Sequence, residues 1–317
     1  MGKKIVVALG GNAILQASQR GTTEEQLANL ERACRHIVSL IQQGHSLVIT
    51  HGNGPQVGNL LIQQAEAADF APYQPMDICV AMTQAQIGTM IQEVLTNQLR
   101  AVGLQPNVVT LVSHFLVDRE DPDFKVLSKP IGPFLSEELK ARYEQRYGHV
   151  VRKVSEDPQR PYRRVVPSPM PLRLQEKQAL KGLVDTGAIV VTGGGGGIPV
   201  VLDQDGQYKP IEAVIDKDLA GEKLAETLAA DVYIVLTDVD NVYLNYGKPS
   251  QRALDTVSLD EARLYHSQGH FARGSMAPKV LACIQFIEFG GDAAIITSLE
   301  RANEAIEGKA GTRFVRG

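Results

Sequence analysis

Two features are scarce in this sequence of 317 residues, and each scarcity excludes a class of protein. The chain has only three cysteines, and the wide spacing of Cys34, Cys79 and Cys283 fits neither a disulfide framework nor a zinc site. No apolar run approaches the roughly 20 residues that span a bilayer, and the first apolar run is too short for the core of a secretory signal. The sequence therefore predicts reduced thiols, a cytoplasmic location and no membrane partner.

An excess of basic charge is also missing. The chain has 32 Lys and Arg against 36 Asp and Glu, which gives a net charge of −4 and an isoelectric point near 6.0. A nucleic-acid-binding protein usually shows a basic field. Even Arg119–Arg164, which has eleven basic residues, interleaves them with eight acidic ones, as a solvated surface does. Small molecules are therefore the expected partners, and nucleic acid is not.

What the sequence does have is three apolar runs that end in glycine. The first is Lys3–Asn12, KKIVVALGGN, and the same design recurs at 47–54 and at 188–197. Continuous apolar runs of this length are typical of parallel strands buried on both faces. Because ligands of open α/β sheets bind beyond the carboxyl ends of the strands, the three glycine loops predict one anion site built mostly from backbone. His51, in the second loop, is interpreted as a structural residue.

The elements between these runs alternate, which predicts a largely parallel sheet with right-handed crossovers. A helix is expected over Thr23–Gln43, with Thr22 and Glu25 as its capping box. Further helices are expected near 55–68, 83–102, 175–186, 259–266 and 276–288. From 116 to 166 the apolar periodicity weakens, and this predicts a small inserted subdomain that resembles a lid. Within it, KPIGPF at 129–134 predicts a bent loop.

Two lysines stand where a cation is unfavourable. Lys217 and Lys279 are expected in the first turns of helices, with Asp218 and Ser275 as the respective N-caps. A cation there opposes the helix dipole at a cost of a few tenths to about 1 kcal/mol. An anion such as phosphate would explain both positions, although each lysine taken alone could simply be solvated. The Walker A, Rossmann and protein-kinase motifs are all absent.

The motifs taken together resemble those of the carbamate kinases, a group within the amino acid kinase family. They extend over the whole chain: ALGGNA at 8–13, THGNGPQVG at 50–58, KPIGPF at 129–134, RRVVPSP at 163–169, GGGGGIPVV at 193–201, AVIDKDLA at 213–220, LTDVDNVY at 236–243 and GHFARGSMAPK at 269–279. Departures occur at 85–89, at 113–114 and at 158–161.

The resemblance implies an α/β fold, namely a three-layer α/β/α sandwich whose central sheet is eight-stranded and mainly parallel. It implies one amino acid kinase domain over 1–317, with an N-terminal acceptor lobe at 1–212 and a C-terminal nucleotide lobe at 213–317. It also implies a homodimer that uses ATP or ADP with Mg²⁺. The implied reaction is reversible phosphoryl transfer between ATP and carbamate, which would make ATP from carbamoyl phosphate in arginine-type or purine-type catabolism.

The resemblance also implies roles for single residues. The expected catalytic residues are Lys129, Lys217, Asp218 and Lys279. The expected substrate-binding residues are Gly10, Gly11, Asn12, Gly52 and Asn53. The expected nucleotide-binding residues are Gly195, Thr237, Asp238, Tyr243, Met276 and Pro278. No residue is expected to bind a metal directly.

Two alternatives stay open at this point. Another small-acid kinase of the same family is one of them, and KPIGPF with the inserted subdomain argues against it. A nucleotide-binding paralogue without turnover is the other, and the four retained residues Lys129, Lys217, Asp218 and Lys279 argue against that.

Overall fold

The computed structural model describes residues 2–16, 18–272 and 274–317. The helices of this part of the chain are α1 Thr23–Gln42, α2 Gly54–Ala67, α3 Met76–Ala101, α4 Asp123–Val126, α5 Glu137–Tyr147, α6 Lys177–Asp185, α7 Lys217–Leu228, α8 Leu259–Ser267, α9 Met276–Phe289 and α10 Ala302–Ile306. Short 3₁₀ turns lie at Gly11–Ala13 and Gly194–Gly196.

The strands of the described residues are β1 Lys4–Leu9, β2 Ser46–His51, β3 Val108–Leu111, β4 His114–Val117, β5 Lys129–Leu135, β6 Val151–Lys153, β7 Tyr162–Val166, β8 Pro171–Leu174, β9 Ile189–Thr192, β10 Ile198–Leu202, β11 Tyr208–Pro210, β12 Val232–Thr237, β13 Val242–Leu244, β14 Arg252–Leu254, β15 Thr256–Ser258, β16 Ala293–Ser298 and β17 Thr312–Val315.

Eight strands form one central sheet in the order β15-β17-β16-β12-β1-β2-β9-β3. Within this sheet β16 and β17 are antiparallel, and the other neighbouring pairs are parallel. The prediction of an α/β sandwich with a mainly parallel sheet is therefore confirmed. Because β1 lies between β2 and β12, the first glycine loop leaves the sheet near its middle.

Alternating side chains of β1 explain why this strand is apolar throughout. Ile5, Val7 and Leu9 join the core under α1 and α3, whereas Val6 and Ala8 join the core under α7 and α9. A strand whose two faces are both covered by helices has no face left for polar residues. The two cores make this a three-layer structure.

The helix starts mostly follow the sequence signals. Thr22 and Glu25 form the predicted capping box of α1, and Pro55 lies in the first turn of α2. The start predicted near Thr83 is wrong by about two turns, since α3 begins at Met76 with Pro75 as its N-cap.

The predicted insertion contains a small sheet of its own. Strands β5, β7 and β6 form an antiparallel sheet, and α5 lies between β5 and β6 in sequence. The bent loop predicted at KPIGPF is instead strand β5, which is bent at Gly132 (φ +68°) where its register with β7 shifts. Strand β4 pairs with β8 and β10 in a separate sheet. Mobility of the insertion stays a prediction.

None of the helices in the described residues is both long and apolar enough to cross a bilayer. The three cysteines are buried and unpaired.

Glu222 of α7 is a fully buried carboxyl group. Neither of its oxygens accepts a hydrogen bond from the described residues, and the ammonium nitrogen of Lys223 lies 3.5 Å from Oε2. Burial raises the pKa of Glu222 to about 7, against a partial opposing effect of Lys223. The folded protein therefore holds a proton on Glu222 that the unfolded chain releases at lower pH.

Replacing Glu222 with glutamine should stabilise the protein at alkaline pH. Because the pKa of Glu222 is higher in the folded protein than in the unfolded chain, this carboxyl lowers the free energy of unfolding as pH rises from about 4.5 to 7. The loss of stability persists above pH 7. Urea unfolding at pH 8 should show a gain on the order of 3 kcal/mol for Glu222→Gln, and little gain at pH 4.5. Glu138→Gln, at an exposed site, is the control. An equal gain at both pH values would contradict this explanation.

Candidate active site

Two cavities meet at the carboxyl edge of the central sheet. The first, of about 280 Å³, lies between the loops after β1 and β2, strand β5 and the start of α7. The second, of about 440 Å³, lies between the loop after β1, the loop after β12 and the start of α9. Both cavities are lined by Gly11, Lys217 and Lys279. These three residues therefore mark the passage from one cavity to the other.

A buried carboxylate joins the two predicted lysines. Asp218 accepts a hydrogen bond on Oδ1 from Lys217 Nζ (2.5 Å) and on Oδ2 from Lys279 Nζ (2.8 Å). Its side chain is only 3% exposed, and Tyr233 OH donates to its backbone oxygen. Asp218 thus orients two ammonium groups toward the junction of the cavities.

Burial and pairing shift these three groups in different directions. Burial lowers the pKa of Lys217, although Asp218 opposes that shift. For Lys279 burial also acts downward, but Asp218 outweighs it and the pKa is raised. Burial alone would raise the pKa of Asp218, yet the two lysines hold it below its usual value. The carboxylate is therefore ionised and keeps the paired cations in place.

The N-cap of α7 is Asp216, and the prediction that Asp218 caps this helix is wrong. Asp216 Oδ1 accepts from the backbone N–H of Asp218 (2.9 Å). Its other oxygen, Oδ2, accepts from Lys129 Nζ (2.7 Å). Asp216 was not among the predicted site residues, although the sequence Asp-Lys-Asp indicates it. The N-cap residue precedes the first helical residue, and its side chain is the one that accepts from the free N–H groups of the first turn.

At the start of α9, Ser275 is the N-cap residue by position, but its side chain makes no capping hydrogen bond. The first-turn N–H groups there have no hydroxyl acceptor at the cap. Ser275 lines both cavities.

The first glycine loop turns closely over the end of β12. Gly10 N–H donates to Leu236 O (3.0 Å), and a Cβ at Gly10 would lie 2.8 Å from that oxygen. At Gly11 a Cβ would meet no atom within 4 Å, so this backbone faces open space at the junction. Asn12 Nδ2 donates to Asp238 Oδ2 (2.5 Å). The loop therefore presents backbone at the junction, while Asn12 connects it to the second cavity.

The pentaglycine loop is close-packed against side chains of the second loop. A Cβ at Gly194 would lie 2.4 Å from the His51 ring, and one at Gly195 would lie 2.1 Å from Asn53 Nδ2. Gly195 also has φ +66°, which favours glycine. Gly195 lines the first cavity, beside Asn53. Gly195, one of the predicted nucleotide-binding residues, does not line the second cavity.

His51 is buried beneath these loops. Its Nδ1 lies 2.9 Å from Gly52 O, and burial lowers the pKa of His51 to about 4. The ring is therefore neutral at physiological pH. It packs against Gly194, which is consistent with a structural role.

Side chains from α3 hold the loops of the first cavity. Asn53 Nδ2 donates to Thr83 Oγ1 (2.9 Å), which in turn donates to Val80 O. Ser113 Oγ donates to Gln84 Oε1 and accepts from Gly193 N–H. These positioning contacts were not foreseen. Of the sequence departures near them, those at 85 and 89 fall on exposed positions of α3, whereas the departure at Ser113 is buried and takes part in these contacts.

The second cavity has aromatic and charged residues in its lining. Four of the residues predicted to bind the nucleotide line it, namely Thr237, Asp238, Tyr243 and Met276, and the rings of Tyr243 and Tyr246 lie 5.9 Å apart. Pro278 lies in the first turn of α9 and is not part of the lining of either cavity. A flat ligand such as a nucleotide base fits a wall of this kind.

The sequence matches the model of the Amino acid kinase family over residues 3–298. The chain therefore belongs to the amino acid kinase family, and it is a kinase.

Relatives that match from end to end define the group more closely. A carbamate kinase from Pyrococcus furiosus is 50% identical over 317 residues, covering 99% of this chain and 100% of the relative. A carbamate kinase from Trichomonas vaginalis is 44% identical over 316 residues, covering 98% and 99%. The solved carbamate kinase from Giardia lamblia bound to AMP-PNP is 42% identical, with a TM-score of 0.92 and coverage of 99% of this chain and 98% of that one.

Proposed function

We propose that this protein catalyses ATP + carbamate ⇌ ADP + carbamoyl phosphate. A carbamate oxygen forms a bond to the terminal phosphorus of ATP as the bond from that phosphorus to the ADP oxygen breaks. The electron pair of the broken bond stays on ADP, and no proton is gained or lost. The observation that carries the proposal is the junction of the two cavities, where Lys217 and Lys279 converge on Asp218.

In this proposal the first cavity holds carbamate and the second holds the nucleotide. Gly52 and Asn53 would bind carbamate, with Lys129 beside them in the same cavity. Gly10, Gly11 and Asn12 would face the transferred phosphoryl group. Thr237, Asp238, Tyr243 and Met276 would border the nucleotide. Gly195 and Pro278 were also expected to bind the nucleotide, but neither lines the second cavity. In this proposal Gly195 shapes the carbamate side, and Pro278 shapes the first turn of α9.

Charge neutralisation and positioning are what this reaction asks of the protein. Carbamate is already an anion, so its attack needs no general base. His51, at the end of β2, is neutral and buried. The ammonium groups of Lys217 and Lys279 are preorganised by Asp218, and they would neutralise charge that develops on the phosphoryl oxygens.

Mg²⁺ enters this proposal as part of the MgATP substrate. Among the described residues no three His, Cys, Asp or Glu side chains form a cluster that could hold a metal. Mg²⁺ keeps several waters and binds mainly to substrate phosphates in many kinases, so such a cluster is not needed. Asp238, at the wall of the second cavity, has the carboxylate chemistry that a nucleotide-bound Mg²⁺ accepts.

We extend the proposal to the organisation of the chain. Residues 1–212 would form the acceptor lobe and 213–317 the nucleotide lobe, with 116–166 as a lid. Two chains would associate as a homodimer. Formation of ATP from carbamoyl phosphate in arginine-type or purine-type catabolism would be the physiological direction.

The direct test is an assay of ATP formation from ADP and a panel of acyl phosphates. With Mg²⁺ present, carbamoyl phosphate should give ATP, and EDTA should abolish the reaction. Use of acetyl or glutamyl phosphate with no use of carbamoyl phosphate would assign the chain to another small-acid kinase. Binding of ADP without turnover of any donor would favour a paralogue that does not turn over.

A further inference from the structure

The lining of the first cavity contains an arginine, Arg163, to which the proposed reaction assigns no role. Arg163, on β7, lines this cavity beside Lys129 and Gly132, and it does not line the second cavity. Its Nε donates to Gly132 O (3.0 Å), and its guanidinium carbon lies 5.2 Å from the centre of the Phe134 ring. The side chain is thus fixed on one edge by β5, and its two terminal nitrogens remain available.

Arg163 differs from the lysines of the cavity in its pairing. Lys129 is paired with Asp216, and Lys217 and Lys279 are paired with Asp218. Among the described residues, no carboxylate lies within ion-pair distance of Arg163, whereas its neighbour Arg164 is paired with Glu212. Partial burial lowers the pKa of Arg163, and no carboxylate of the described residues offsets that effect. A ligand anion would supply the missing partner.

The net charge of the first cavity's lining matches the charge of the expected anion. Its lining has four cationic side chains against two carboxylates, Asp216 and Asp218. Carbamoyl phosphate carries about two negative charges at neutral pH, as phosphate monoesters do. Without Arg163 the excess positive charge would be half as large. The guanidinium also matches a planar carboxylate-type group better than an ammonium does, because it donates through two parallel N–H groups.

We infer that Arg163 binds the carbamate end of the substrate, the planar group that becomes the carbamoyl part of carbamoyl phosphate. This role rests on the proposed function. It assigns Arg163 to recognition of the acceptor, while the lysines at the junction act on the transferred phosphoryl group. Arg163 should therefore govern the KM for carbamoyl phosphate and leave the affinity for ADP unchanged.

Three variants test this role in the ATP-forming assay. Arg163→Gln keeps a hydrogen-bond donor near Gly132 but removes the charge, and it should raise the KM for carbamoyl phosphate by about 10- to 100-fold, as loss of a charged hydrogen bond does. Arg163→Lys keeps the charge and should recover part of that loss. The matched control is Arg152→Gln, because Arg152 lies opposite Arg163 in the register of β6 and β7 and is exposed. Its KM values should stay within about twofold of wild type.

The outcomes separate recognition from a merely structural role. A raised KM for carbamoyl phosphate with an unchanged calorimetric Kd for ADP supports the inference. An unchanged KM for carbamoyl phosphate in Arg163→Gln overturns it. An equal rise of this KM in Arg163→Gln and Arg163→Lys, together with a lower Tm of both proteins, also overturns it, because Arg163 would then only support the bend of β5. If the wild-type protein makes no ATP from carbamoyl phosphate, the proposed function itself fails and the role of Arg163 falls with it.

Discussion

Replacing Lys217 with alanine should lower kcat by a factor of about 10² to 10³, which corresponds to about 3–4 kcal/mol of transition-state stabilisation. Lys217 lies at the junction of the two cavities with its ammonium group fixed by Asp218. Lys279→Ala should have an effect of the same size, because Lys279 Nζ is held by the other oxygen of the same carboxylate. Stopped-flow measurement of ATP formation at saturating substrates would determine both values.

Lys177→Ala is the matched control for Lys217→Ala. Lys177 is also the first residue of a helix, α6, but it is exposed and lies outside both cavities. Its loss should leave kcat near that of wild type. Thermal unfolding of each variant would show whether the fold survives the loss of a buried charge partner. A folded Lys217→Ala protein with near-normal turnover would refute the role given to this lysine.

Lys129→Ala should lower kcat by about 10²-fold while the calorimetric Kd for ADP stays nearly the same. Lys129 lines the first cavity but not the second, so it has no direct path to the nucleotide. Its ammonium group now pairs with Asp216 (2.7 Å), and its side chain is 29% exposed. An ammonium group has three N–H donors, so Lys129 can keep this partner and also donate to the phosphoryl group, and an interaction that strengthens in the transition state lowers kcat when it is removed.

Lys125→Ala provides the comparison, since Lys125 is an exposed lysine four residues earlier in the chain. It should leave both kcat and the Kd for ADP unchanged. A Lys129→Ala protein that loses ADP affinity but keeps its kcat would instead place Lys129 in the nucleotide site.

Local sequence patterns correctly predicted the strand and the helix that surround the first glycine loop. The run from Ile5 to Leu9 indicated a buried parallel strand because its side chains alternate between two covered faces. The Thr22 and Glu25 capping box was equally readable, because both partners lie within one turn. Signals of this kind depend on neighbours in sequence, and the structure agrees with them.

Contacts between distant residues were not predictable in the same way. Lys129 and Asp216 are 87 positions apart, and no local pattern shows that one will reach the other. The role of Gly195 shows the same difficulty. Gly195 packs closely against Asn53, and Asn53 reaches the glycine loop only through the folding of the sheet.

The pairing of β1 has a consequence for how the chain folds during synthesis. β1 pairs with β2 soon after both have been made, but its other neighbour is β12, and Leu9 lies opposite Leu236. The hydrogen bond from Gly10 to Leu236 O therefore cannot form until about three-quarters of the chain has left the ribosome. Until then one edge of β1 stays open, and an unpaired apolar edge is a site for association with other chains. Long-range pairing of this kind also slows folding. Chaperones that protect nascent chains should therefore improve the yield of active protein more than they improve that of a fold whose central strand is paired locally.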